Sequence, residues 1–99
     1  MKAIKQTILE FRDERDWKKY HDEKDLAISI SLEASELLEN FQWRSSKEAI
    51  AESKQNINEE MADIYIYLVQ LADKMEIDLE EEVYKKLQKN AEKYPVNEK

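Results

Sequence analysis

Apolar residues recur along most of this chain at the three- and four-residue steps of an α-helix, and polar breaks cut the pattern into segments. Ile4, Ile8, Leu9 and Phe11, followed by Trp17, predict a first amphipathic helix from about Ala3 to Trp17. His21-Asp22-Glu23 then interrupts the pattern, and Asp22 is placed to cap a second helix from about Glu23 to Trp43. Ser45 with Glu48 three residues on reads as a capping box for a short third helix. Asn56 with Glu59 repeats the signal and predicts a fourth helix from about Ile57 to Met75, either separate from the third or continuous with it. Asp78 with Glu81 opens a fifth, which ends near Tyr94 because Pro95 cannot continue a helix.

Two of these helices are unlike ordinary surface helices. Between Leu26 and Leu38 the only charges are Glu33 and Glu36, and between Met61 and Ala72 the only charge is Asp63, with Glu59 and Glu60 just before it. A helix apolar nearly all round is buried in its domain or between subunits. The first and fifth helices carry charge on most turns and belong outside. The expected fold is all-α: a compact helical bundle, one domain over residues 1–99, with two central apolar helices and completion by oligomerisation into a homodimer or homotetramer.

Composition narrows the chemistry. The 99 residues include no Gly and no Cys, and the net charge is −7. Without glycine there is no P-loop and no dinucleotide fingerprint, since both need backbone close against phosphate. Without cysteine there is no disulfide, thiolate metal site or thiol nucleophile. The acidic balance argues against nucleic-acid binding, which draws on clustered Lys and Arg. No stretch approaches the ~20 apolar residues of a membrane span, and the first residues do not read as a signal peptide, so no membrane partner and a cytoplasmic location are expected. An acidic protein that binds a polyphosphate needs a divalent cation between the two.

The acids supply a place for one. Glu33 and Glu36 stand three apart on the second helix, Glu60 and Asp63 three apart on the fourth. Residues at that spacing share a helix face, their Cβ atoms about 5–6 Å apart. If the two helices pack side by side, four carboxylates converge, and neither apolar stretch carries a Lys or Arg to neutralise them. Unpaired buried charge is strongly unfavourable. All-oxygen ligands favour a hard ion, Mg²⁺ or else Mn²⁺, over zinc. Glu39, one turn beyond Glu36, reads equally as an outer ligand or as an exposed helix-end charge.

Longer stretches extend the pattern. The run from Leu32 to Trp43, closing on Phe41-Gln42-Trp43, together with Glu59-Glu60-Met61-Ala62-Asp63-Ile64-Tyr65-Ile66-Tyr67, Glu14-Arg15-Asp16-Trp17 and the stretch Asn90 to Val96, resembles the MazG-like all-α nucleoside triphosphate pyrophosphohydrolases, above all their dCTP pyrophosphatase branch. The resemblance covers most of the chain, in order. It implies Mg²⁺-dependent cleavage of a nucleoside triphosphate to the monophosphate and pyrophosphate, in a house-cleaning role that favours dCTP or a modified relative. It implies Glu33, Glu36, Glu60 and Asp63 as metal ligands, with one of them or Glu39 orienting the attacking water. Lys86, Asn90 and Lys93 share a face of the fifth helix and are placed to meet phosphates; Tyr67 matches a position near the sugar or phosphate, although alone it reads as core. Trp17, His21 and Trp43 become base-binding candidates, and part of the pocket is expected from a neighbouring subunit.

Two other classes compete. Di-iron carboxylate bundles also draw on glutamates from several helices, but they need Glu-x-x-His pairs that this chain lacks. A non-catalytic helical oligomer, binding nucleotides or another protein, would keep the apolar helices and leave the acids as surface decoration.

Overall fold

The computed structural model describes residues 3–96, which form four α-helices and a single 3-10 turn and, among those residues, no strand. In chain order they are α1 (Ile4–Glu14), the 3-10 turn (Lys18–Tyr20), α2 (Glu23–Glu39), α3 (Ser46–Lys74) and α4 (Leu79–Lys93). Asp22 caps α2, accepting from the Asp25 backbone N–H while the Asp25 carboxylate takes the N–H of Asp22. Ser45 and Glu48 form the same reciprocal box at the start of α3, and Asp78 caps α4 through the Glu81 N–H.

The sequence overshoots at two helix ends. The first helix stops at Glu14, short of Trp17, because Asp16 turns left-handed at φ 55° and the Trp17 N–H reaches back to the Arg12 carbonyl. The second stops at Glu39, short of Trp43: the Asn40 amide folds back to donate to the Glu36 and Leu37 carbonyls at 3.1 and 3.4 Å. Carbonyls in the last turn run out of the usual i+4 donors, and the Leu37 carbonyl also takes the Asn40 backbone N–H at 3.3 Å. The third and fourth predicted helices are one, kinked at Ser53 (φ −128°, ψ 24°). Asn56 is therefore no cap; its side chain donates across to Asn40 Oδ1 at 2.8 Å. Glycine usually fills left-handed positions, and a glycine-free chain fills them here with Asp16, Trp43 and Glu76.

α2 runs antiparallel to the second half of α3, and Leu26, 1% exposed, is the best-buried large side chain. α1 crosses α3 through Arg12, which is buried and ion-paired to Asp73 and Asp13, both at 2.9 Å. Ile8, Ala49, Ile57, Val69 and Ala72 complete a small core. α4 contributes no buried residue; its first turn flanks a cleft of about 150 Å³ that Tyr65 and Val69 share. The Cα radius of gyration, 16.9 Å, exceeds the ~13 Å of a compact domain of about 100 residues. The two predicted central helices do hold the middle of the bundle, yet within one chain they leave Leu32 59% and Met61 57% exposed.

Candidate metal centre and adjoining cavity

The pairing of α2 with α3 fixes which acids meet. Asn40 lies opposite Asn56, so one turn along each helix Glu36 comes opposite Glu60, and the next turn carries Glu33 and Asp63. Carboxylate oxygens of Glu33, Glu36 and Glu60 all lie within 4.8 Å of one another. Asp63 is outside that trio but close enough for its charge to act on Glu33. The cluster is not sealed inside the bundle as the apolar helices suggest: Glu36 is exposed, and Glu33 and Glu60 are partly so.

Its electrostatics are those of acids without a counter-charge. A hydrogen bond with Glu60 raises the Glu33 carboxyl, burial adds to it, and the charges of Glu36, Glu60 and Asp63 add further, pushing it up to about 7. Glu60 Oε2 is buried and accepts no hydrogen bond from outside the acid cluster. Among the described residues none of the four acids forms an ion pair with a Lys, Arg or His. Oxygens bound to one hexacoordinate cation at roughly 2.1–2.5 Å sit about 3–5 Å apart, so these three carboxylates fit a hard divalent ion with little rearrangement. What the cluster lacks is a counter-charge, and a divalent cation is one that its oxygen-only donor set suits.

A cavity of about 390 Å³ adjoins the cluster, and Asp63 belongs to its wall. α1 supplies Ile8 and Phe11, the following turn supplies Trp17 and His21, and α3 supplies Ile66, Tyr67 and Gln70. The Phe11 and Trp17 rings meet edge to face with centroids 5.8 Å apart, and the Arg15 guanidinium lies 3.5 Å from the Phe11 centroid. His21 Nδ1 is buried without a partner. The early end of α1 lets the chain turn back and set Trp17 and His21 over α3.

Trp17, His21, Tyr67 and Asp63 therefore come together around one cavity next to Glu33, Glu36 and Glu60. Glu39 is exposed and outside the trio. Trp43 is 99% exposed and does not line the cavity. Lys86, Asn90 and Lys93 lie on α4, away from it, with the Lys93 ammonium 5.4 Å from the centre of the Tyr94 ring. Sequence reasoning missed Gln70 and assigned Phe11 no role beyond the first helix. Gln70 had left a trace: apart from Asp63 and two tyrosine hydroxyls it is the only polar group from Met61 to Ala72, and it recurs on the face of Asp63 and Tyr67.

Comparison with known proteins bears on the family and the fold. The chain is 34% identical to dCTP pyrophosphatase 1 of Mus musculus over 102 aligned positions, and 32% identical to that of Homo sapiens. These alignments take in 98% of the chain but 60% of each relative, so the chain spans well under two thirds of their length. The crystal structure of a pyrophosphatase from Archaeoglobus fulgidus superimposes with a TM-score of 0.85 at 49% identity, over 92% of this chain and 88% of that one. Residues 28–99, which carry all four acids, match the MazG-like family, and the chain belongs to it.

Proposed function

We propose that this chain hydrolyses nucleoside triphosphates, with dCTP or a modified pyrimidine relative as the favoured substrate, to the monophosphate and pyrophosphate. One observation carries the reading: three convergent carboxylates without a counter-cation open beside an aromatic-walled cavity, and Asp63 borders both. The names of the relatives, dCTP pyrophosphatases and a pyrophosphatase, point the same way.

Glu33, Glu36 and Glu60 would hold Mg²⁺, or Mn²⁺ in its place, with Asp63 completing the set. Bound there, the ion supplies charge neutralisation for the triphosphate and a lowered pKa for water. The chain's own residues do the rest. Trp17 and Phe11 offer ring faces and edges to a base, His21 a ring nitrogen, and Tyr67 a hydroxyl one turn from Asp63. The apolar wall excludes water from the base while the acids hold the phosphate end in the open. Lys86, Asn90 and Lys93 reach phosphates once a second copy covers the exposed apolar face of α2 and α3, and we assign the working state as a homodimer or homotetramer on that basis.

A panel of ribo- and deoxynucleoside triphosphates, with products identified and Mg²⁺ present or chelated, tests the reading. The expected products are monophosphate and pyrophosphate, formed only with the metal, by a protein that light scattering at micromolar concentration finds to be a dimer or larger. Release of orthophosphate with a nucleoside diphosphate would overturn cleavage between the α- and β-phosphates. No product from any member of the panel would leave a binding module.

A further inference from the structure

The cavity holds a polar group that neither the carboxylates nor the phosphate contacts use. Gln70 sits on α3 seven residues past Asp63 and three past Tyr67, on the helix face that forms the cavity wall. It is 6% exposed, and its amide oxygen Oε1 is buried with no hydrogen-bond partner. Burying an amide oxygen unpaired is unfavourable, and methionine or leucine would fill the same space without that cost. The same wall carries apolar Ile8, Phe11 and Ile66 along with Thr7, Tyr67 and Asp63. An apolar pocket with one or two starved polar atoms is the arrangement that orients a ligand and discriminates among ligands. His21 Nδ1 is the second such atom.

We propose that Gln70 selects the base: its carboxamide oxygen accepts a hydrogen bond from the exocyclic amine of cytosine. The assignment rests on the hydrolase reading above, with the cavity as the base pocket. The unpaired atom is an acceptor, so it calls for a donor. Uracil and thymine carry a carbonyl where cytosine carries its amine, and in the orientation the amide holds here that carbonyl would oppose Oε1 and leave two oxygens unpaired. A site built to pair with a polar substrate group rejects the analogue that lacks it far more strongly than an apolar pocket rejects a change of size.

The experiment compares kcat/KM, by pyrophosphate release at saturating Mg²⁺, for dCTP, dUTP and the 2-pyrimidinone deoxynucleoside triphosphate, which is dCTP with a hydrogen for the amine. The wild type is expected to favour dCTP over both. Gln70→Met, close in volume, is expected to lose about 5- to 100-fold on dCTP, to gain on dUTP because the opposing oxygen is gone, and to treat dCTP and the amine-less analogue alike. The analogue imposes the same loss on the wild-type protein, so the reading stays testable even if the variant folds poorly. A wild type that processes dUTP or the analogue as well as dCTP overturns the assignment. So does an equal loss on all three substrates in Gln70→Met, which would make Gln70 a packing residue. If the wild type releases pyrophosphate from nothing, the hydrolase reading is what fails. Quenching of tryptophan fluorescence by dCMP against dUMP, in wild type and Gln70→Met, then decides the role of Gln70 alone: a preference for dCMP that the substitution removes supports it, and no difference overturns it.

Discussion

The seam between α2 and α3 has two polar stretches one helical turn apart, and they are finished in opposite ways. At one, Asn40 donates to two carbonyls of its own helix, accepts the Asn56 amide at 2.8 Å, and gives its backbone carbonyl to Arg44 at 2.6 Å. Arg44 goes on to Ser53 at 3.2 Å and Glu52 at 3.0 Å, so the turn after α2 is tied to the kink in α3. At the other, Glu33, Glu36 and Glu60 face one another with a buried oxygen that accepts nothing from outside the cluster and a carboxyl displaced to about 7. Polarity at the first stretch is closed within the chain, and polarity at the second is left open, as a binding site would be. The two stretches also depend on each other. Asn40 is one turn from Glu36 and Asn56 one turn from Glu60, so their hydrogen bond sets the register that brings the acids together.

Substitution at the two stretches should separate activity from stability. Glu60→Gln removes a proposed metal ligand and its charge at once, and pyrophosphate release should drop by about two orders of magnitude or more, with the melting temperature held or raised. Asn40→Ala should act first on stability: losing the side-chain bonds to the Asn56 amide and the Glu36 carbonyl costs about 1–3 kcal/mol, and activity should fall at least as far as the folded fraction because the register of the acids goes with that bond. Near-normal turnover in Glu60→Gln would take Glu60 out of the site, and an unshifted melt in Asn40→Ala would remove the register role.

Metal addition is the next sharpest probe. At about a hundred times its dissociation constant, an ion that binds only the folded chain stabilises it by roughly 2.7 kcal/mol. Mg²⁺ should therefore raise the melting temperature of the wild type and of Asn40→Ala alike, and should leave Glu33→Gln, Glu36→Gln nearly unmoved at matched ionic strength. The same Mg²⁺ response in that double variant would send the metal elsewhere.

What could be seen in the sequence follows the same division between local and distant causes. The acid pairs were legible because three-residue spacing on an apolar helix is a local fact, and the caps at Asp22, Ser45 and Asp78 because each bonds within its own first turn. The ends of α1 and α2 were not. Left-handed Asp16 and Trp43 give no glycine to mark the turn, and α2 is closed by the side chain of Asn40. Asn56 misled for a related reason, since the capping pattern is present but its amide is taken by a residue sixteen positions away. Gln70 acquires meaning only when α1 and the turn after it fold over α3, which no window along the chain contains.

The smallest effect tests whether the open stretch carries strain when no metal is present. In the folded protein the Glu33 carboxyl is pushed up to about 7, first by its hydrogen bond with Glu60, then by burial and neighbouring charge, from an ordinary value of 4.5. Between those two values the folded chain holds a proton that the unfolded chain lacks, so stability falls as pH rises through that range. In EDTA, lowering the pH from 8 to 5 should accordingly raise the melting temperature, by a few degrees at most because the cluster opens to solvent beside Glu36. The capping acids act with the opposite sign. Asp22 and Glu48 lie below their ordinary values because their carboxylates hydrogen-bond the Asp25 and Ser45 backbone N–H groups, so what they contribute is present at neutral pH and lost only below about 4. The window from 7 to 5 is free of them. Glu33→Gln should abolish the rise, and titrating groups outside the acid cluster, common to both proteins, cancel in the difference. With saturating Mg²⁺ the slope should reverse for the wild type, because the ion binds the deprotonated carboxylates and is displaced as they take up protons. Equal, flat melting profiles for wild type and Glu33→Gln in EDTA would place Glu33 in open solvent instead of against Glu60.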